Sequence, residues 1–327
     1  MQKKTREALT AYAEQLKKSN ATDNVAAPFP VSESEAARLI VLQRESIDLL
    51  NKINIIPCRD VEGVSGVMPF MSLAARTNTD VNPRDPQDYG VNLSKFVCEK
   101  TEYDCALPNS FVDSLAGYPD FFEKLDLALA VSRGLDQITI GWNGVSAEAS
   151  TNRATYPLLQ DVNIGWLQKV RTDAPDRVRS SATIGVGGEF ASLDALVYAL
   201  IQGLDECHRK RSDLVVIISR DLLHTKMLEG IAAGATSIEA EAALTRILTT
   251  GKIAGLDIYD SPSFPDDTVV VTSFKNLSIY YQAPSVRRWL KDEPELSRQV
   301  DYMSLNEAYV VESYGLIAFA EGVGFTE

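Results

Sequence analysis

The stretch from Pro119 to about Ile140 constrains this chain more than any other. Its apolar residues recur with a helical period, and on a helical wheel Glu123, Asp126, Arg133 and Gln137 form one narrow polar stripe. Phe122, Leu125, Leu129, Val131, Leu135 and Ile138 take most of the remaining circumference, with Lys124 and Asp136 as exceptions. A helix with so little polar face has to be packed on several sides, by its own domain or by a neighbouring subunit. Gly141 to Gly144 ends it.

The segments before this helix also look outward. Leu9, Tyr12, Ala13 and Leu16 make an apolar stripe on an N-terminal helix. Residues 1–20 carry a local +3 in a chain whose formal charge is −13. Ser19 to Pro30 reads as a linker, which makes the first helix either a tethered docking arm or a frayed terminus. Ser32 with Glu35 has capping-box spacing and starts a second helix, whose face is Ala36, Leu39, Ile40, Ile47 and Leu50, with Gln43 interrupting. A short strand, Ile53–Ile56, is expected to stop at Pro57.

Residues 76–92 are the least core-like part: eleven of the seventeen are Asn, Asp, Thr, Pro or Gly, so no core-facing helix forms there. Structureless loops of this length inside compact domains are uncommon and tend to be functional or ordered by a partner. The strand-like flanks, 61–71 and 93–107, predict a long hairpin projecting from the body. From Ile184 the pattern becomes α/β. A helix over Leu193–Leu204 precedes the buried-strand run Leu214–Ile218, and a helix is expected at 239–250. Strands follow at 254–259, 268–273 and 277–282, then at 308–313 and 316–321.

Composition removes several classes of function. The sequence pI near 4.8 excludes a main surface that grips nucleic acid, because phosphate binding needs a basic footprint. No run of about 18 apolar residues is present to span a bilayer, and the basic N-terminus is followed by no secretory h-region. Four cysteines, Cys58, Cys98, Cys105 and Cys207, do not make a disulfide scaffold and point to a reducing compartment.

No motif supports catalysis. Gly185-Val186-Gly187-Gly188 sits like a phosphate loop but lacks the Walker ending and the dinucleotide spacing, and a turn into a helix accounts for it. Cys207, His208 and His224 lack a fourth metal ligand at suitable spacing. Cys98 and Cys105 are a candidate pair across a bend. Asp266-Asp267 lies in a turn-like context, and Arg287, Arg288 and Lys291 beside Asp292, Glu293 and Glu295 read as a charge-mixed surface or interface. No catalytic, cofactor-binding or metal-ligating residue is assigned.

A tethered arm, a projecting hairpin and an apolar spine helix are instead the parts of a protein that contacts copies of itself, and heterologous contacts of this kind close into rings and shells. Separated blocks of sequence carry a resemblance to a known family. They are Ile53-Asn54-Ile55-Ile56-Pro57, Asn143-Gly144-Val145, Leu159-Gln160-Asp161-Val162, Gly165-Trp166-Leu167-Gln168-Lys169 and Ala191-Ser192-Leu193-Asp194-Ala195-Leu196-Val197. Asp213-Leu214-Val215-Val216-Ile217, Asn276-Leu277-Ser278-Ile279-Tyr280-Tyr281, Arg287-Arg288 and Tyr309-Val310-Val311-Glu312 complete the set.

With these blocks in this order, the chain resembles the major capsid proteins of P2-like tailed phages, which have the HK97-type capsid fold, an α+β architecture. The resemblance implies an arm at 1–31 that contacts scaffold and is open to cleavage, an N-arm at 32–60 and an E-loop hairpin at 61–107. It also implies a P-domain with the spine helix at 108–183, an A-domain at 184–276 and a return to the P-domain at 277–327. The implied function is self-assembly as pentamers and hexamers into an icosahedral head enclosing double-stranded DNA, without sequence-specific binding. The implied partners are an internal scaffolding protein and protease, which trims around Ala27 to Ser32, and a portal protein, with no membrane. Assembly is expected in the bacterial cytoplasm and residence in the virion. An encapsulin-like shell protein and a cytoplasmic α/β enzyme built on 184–282 are the alternatives.

Overall fold

The computed structural model describes residues 3–65, 74, 79–81, 83–84, 86, 94–115, 118, 121–223 and 251–325. The chain opens with helix α1 (Lys3–Asn20), strand β1 (Phe29–Pro30) and helices α2 (Glu33–Ser46) and α3 (Asp48–Lys52). Strands β2 (Asn54–Cys58), β3 (Glu62–Ser65), β4 (Ser94–Val97), β5 (Glu99–Glu102) and β6 (Cys105–Pro108) lead to α4 (Asn109–Leu115) and the long α5 (Phe121–Asn143). Then come α6 (Trp166–Asp173), β7 (Val178–Ser180), β8 (Thr183–Ile184), α7 (Leu193–Gly203) and β9 (Val215–Ile218). The last strands are β10 (Lys252–Ile253), β11 (Leu256–Tyr259), β12 (Val269–Thr272), β13 (Leu277–Gln282), β14 (Arg287–Glu293), β15 (Arg298–Val311), β16 (Ala318–Glu321) and β17 (Gly324–Phe325). The expected helix at 239–250 and most of the 76–92 segment lie outside the described residues.

Two sheets organise these elements. The seven-stranded sheet is built on the 14-residue β15, which carries β13 and β14 along one edge and β5 and β6 along the other. Strand β2 adds in parallel to β13 and closes one end of the sheet, so Pro57 lies inside an edge strand rather than stopping it. An edge tolerates proline because no outer neighbour needs its missing N–H. The six-stranded sheet runs β10-β11-β9-β12-β16-β7 and so draws on Val178–Ser180, before 184, and on Ala318–Glu321, after 276.

Alternation along β9 explains why its whole length is apolar. Val215 and Ile217 face a core shared with the other sheet, and Val216 and Ile218 face a second core beneath α7. The shared core holds Trp142 of α5, Trp166 of α6, Leu277 and Tyr309 of one sheet, and Val270 and Phe319 of the other. This one core serves both sheets, so the two sheets pack as one body.

Close backbone approach at the end of α5 depends on glycine. Gly144 donates to the carbonyl of Ile140 at 2.7 Å, and Gly165 donates to the carbonyl of Gly144 at 3.1 Å. A Cβ on either glycine would overlap backbone atoms of the other segment. The Asn143-Gly144-Val145 and Gly165-Trp166 blocks therefore mark one crossing point.

The N-terminal part is more firmly docked than a tether. Tyr12 and Leu16 of α1, Val25 and Phe29 are buried with Leu39, Tyr281, Met303 and Leu305 in a third apolar cluster. Phe29 and Pro30 pair with β14, and Leu290 donates to the carbonyl of Val25 at 2.8 Å. The expected linker is thus a packed strap. The Ser32 hydroxyl accepts from the Glu35 amide at 3.3 Å, half of a capping box, while the Glu35 carboxylate turns to Arg38 instead. Extended backbone at Ile47 separates α2 from α3 where one helix was expected.

Candidate functional site

The polar stripe of α5 faces mostly inward, with Glu123 alone of its four residues exposed. Asp126, Arg133 and Gln137 are buried, whereas Leu127 and Leu135 are 42% and 39% exposed. The polar stripe points into the molecule because it meets charged and polar groups on β14 and β15. Asp301 of β15 accepts from Arg288 of β14 at 2.9 and 2.7 Å, and Arg133 stands 3.5 Å from the same carboxylate. Arg288 also donates to Asp126 at 3.1 Å and to the Tyr12 hydroxyl at 2.7 Å, and that hydroxyl donates to Asp126 at 2.6 Å. The Arg287–Arg288–Lys291 group is therefore not one surface. Strand alternation leaves Arg287 and Lys291 exposed and puts Arg288 at 2% exposure.

A second buried group centres on Glu307, which is fully shielded from solvent. Its carboxylate accepts from Tyr103 at 2.7 Å, Gln137 at 2.8 Å and Tyr309 at 3.2 Å, and its backbone carbonyl accepts from Asn163 at 2.9 Å. Burial pushes this carboxyl above the ordinary carboxylate range, against the pull of those donors. Burial and the nearby carboxylate also push the Tyr103 and Tyr309 hydroxyls well up. Asp301 and Glu307 escaped the sequence reading. Their signal is an acidic residue on either side of the apolar pair Met303 and Leu305 in a strand-forming run.

With the polar side turned inward, the outer face of α5 presents Leu127 and Leu135, eight residues apart on one stripe. Strands β3 and β4 pair in antiparallel register, with Glu62 opposite Val97 and Ser65 opposite Ser94, and form the base of the predicted hairpin. Val61, Val64 and Val97 at that base are exposed. A groove of about 840 Å³ runs beside it, lined by Glu99, Glu102, Asp104, Asp136, Glu148 and Asp161 among others. Burial raises the carboxyl pKa of both Asp104 and Asp136. Lys100 and Arg153 also line the groove, but the six carboxyl groups outnumber them, and such a surface favours a cationic side chain over an anion.

At the Gly185–Gly188 turn the amides of Gly185, Gly188 and Phe190 donate to Phe190, Gly185 and Thr183 carbonyls, so these donors are spent within the turn. Cys207 and His208 lie in the turn after α7, and His224 lies outside the described residues. No cluster of three metal-binding side chains occurs among the described residues. Cys98 does not pair with Cys105; its neighbour is Cys58, with sulfurs 3.7 Å apart. Asp267 caps a turn, with its carbonyl accepting from Val323 and its carboxylate from Thr268. No described helix is long and apolar enough to cross a membrane.

Residues 8–323 match the family described as phage major capsid protein, P2 family. The chain belongs to that family. It is 34% identical to the major capsid protein of Serratia phage KSP20, over 93% of this chain and 91% of that one. It is equally similar to the capsid protein of Escherichia phage P2, at 34% over 99% and 95%. Among solved structures, the satellite phage P4 procapsid, which includes a size determination protein, superposes with a TM-score of 0.81 and 32% identity, covering 100% and 99% of the two chains. The capsid of an empty GTA particle shares the fold, with a TM-score of 0.55 at 12% identity over 85% and 90%. This capsid protein therefore has the α+β HK97-type fold and builds the shell of a phage virion; the encapsulin-like and enzyme readings are not favoured.

Proposed function

We propose that this capsid protein assembles as pentamers and hexamers around double-stranded DNA, using the hairpin on β3 and β4 and the outer face of α5 as its main intersubunit contacts. The observation that carries this reading is the orientation of α5: Asp126 and Arg133 are paired internally, and Leu127 and Leu135 are left outside. The working division is an arm at 1–31, an N-arm at 32–60, an E-loop at 61–107, a P-domain at 108–183 and 277–327, and an A-domain at 184–276. In this division α5 is the spine and the six-stranded sheet is shared between the P- and A-domains.

An internal scaffolding protein with protease activity and a portal protein are the partners this reading carries, with trimming near residues 27–32. The chain itself acts as structure and not as a catalyst. Its acidic body, −16 over residues 21–327, limits sticking to packaged DNA, because tight phosphate contacts would oppose packaging and release.

Two variants test the proposal in co-expression with scaffold, read by electron microscopy. Deleting residues 76–92 is expected to leave a folded subunit that forms no shells. The pair Leu127→Lys and Leu135→Lys is expected to do the same, since both side chains are exposed in the subunit. Normal shells from either variant would remove that surface from the proposal.

A further inference from the structure

Cys58 and Cys98 stand at the neck of the hairpin. Cys58 ends β2, whose parallel pairing to β13 holds it on the seven-stranded sheet, opposite Gln282. Cys98 directly follows β4, and its amide donates to the carbonyl of Val61 at 2.8 Å. In sequence, the two cysteines bracket residues 59–97. Their sulfurs are 3.7 Å apart, and both thiols are free. Cys98 is buried among Phe96, Ala308 and Val310, with Cys58 and Tyr280 packed against that cluster, so both side chains point into one apolar pocket.

We infer that Cys58 and Cys98 are a redox site: a thiol pair that closes into a disulfide across the neck when the protein meets a low-molecular-weight disulfide oxidant. A disulfide has a sulfur separation of about 2.05 Å, so closure needs an approach of roughly 1.7 Å, within reach of small side-chain rotations. The partly exposed Cys58 thiolate attacks one sulfur of the oxidant and expels a thiolate, leaving a mixed disulfide on Cys58. The Cys98 thiolate then attacks Cys58 Sγ and expels the second thiolate. The protein gives up two electrons and two protons, and the oxidant leaves as two thiols.

Burial raises the Cys58 thiol and pushes the Cys98 thiol up to about 12, so both are protonated at neutral pH. The pair is consequently slow to oxidise in a reducing cytoplasm and oxidises faster as pH rises. Once formed, the bond fixes the base of the hairpin to the sheet, whichever surface the hairpin contacts. The inference concerns the chain's own thiols and does not depend on the assembly reading.

The test uses full-length protein purified with reductant, then exchanged into oxidised glutathione at pH 8 and alkylated. Non-reducing peptide mass mapping is expected to show a Cys58–Cys98 linked peptide lighter by two hydrogens. Amide exchange over Glu62–Ser65 and Ser94–Val97 is expected to slow by about tenfold or more and to recover with dithiothreitol. Cys105→Ser is expected to keep the cross-link, and Cys58→Ser to abolish it while retaining native far-UV circular dichroism. A stable glutathione adduct on Cys58, a Cys98–Cys105 link, or four alkylated cysteines in the wild-type protein would each overturn the inference.

Discussion

Arg288 shows how much one side chain holds in this molecule. It is 2% exposed and bonded to Asp301, Asp126 and the Tyr12 hydroxyl, so it joins β14, β15, α5 and α1. Truncating one partner of a buried ion pair leaves the others desolvated and unpaired, at a cost of about 3–5 kcal/mol. Arg288→Ala should destabilise the subunit by that amount in urea unfolding, whereas Arg287→Ala, at an exposed position of the same strand, should change it by less than about 0.5 kcal/mol.

Glu307 makes the complementary case. A carboxyl raised by burial binds its proton more tightly in the folded state than in the unfolded one. The contribution of Glu307 to stability is therefore fully present below the ordinary carboxylate pKa and is lost as pH rises through the raised folded value. Glu307→Gln should remove that part of the pH dependence. Gln137 Oε1 has no hydrogen-bond partner, so its amide can flip and accept from the new side chain. The variant should stay within about 1.5 kcal/mol of wild type at neutral pH, checked by denaturant unfolding across pH 4 to 8.

At the scale of elements, the docking of α1 rests on both packing and polarity. The Tyr12 ring stacks on Phe122 with centroids 4.6 Å apart, and its hydroxyl bonds two charged groups. Tyr12→Phe keeps the stack and loses bonds to charge, worth about 1.5–3 kcal/mol. Faster amide exchange confined to α1 and the strap should follow, and exchange unchanged there would contradict the docked arm. At the start of α2, Ser32→Ala removes the cap on the Glu35 amide and should cost about 1 kcal/mol.

The sequence made these elements legible to unequal degrees. Helix α5, the start of α2, α7 and β9 could be read because each has one dominant period. The break at Ile47 and the passage of β2 through Pro57 could not, because both depend on what lies alongside.

At the scale of the whole molecule, the core containing Trp142 and Trp166 belongs to both sheets. Tryptophan fluorescence and far-UV circular dichroism of the unassembled subunit should therefore report the same unfolding midpoint, and separate midpoints would mean that the sheets unfold independently. Gly141 supports this core by leaving space for the Trp166 ring, which a Cβ would overlap. Gly141→Ala should lower the shared midpoint through overpacking, by about 1–3 kcal/mol.

The sequence alone determined the class of the molecule: an acidic α+β subunit with a basic arm, a polar segment that no core can hold, a long apolar helix, and blocks shared with phage capsid proteins. Those properties follow from composition and period, which act locally along the chain. Only the tertiary structure decided which way the stripe on α5 faces. A helical wheel records angular position but not what waits at that angle. Asp126, Arg133 and Gln137 turn inward because their partners Arg288, Asp301 and Glu307, 162 to 170 residues later, supply the charge and hydrogen bonds that burial would otherwise remove. The same packing leaves Leu127 and Leu135 on the outside.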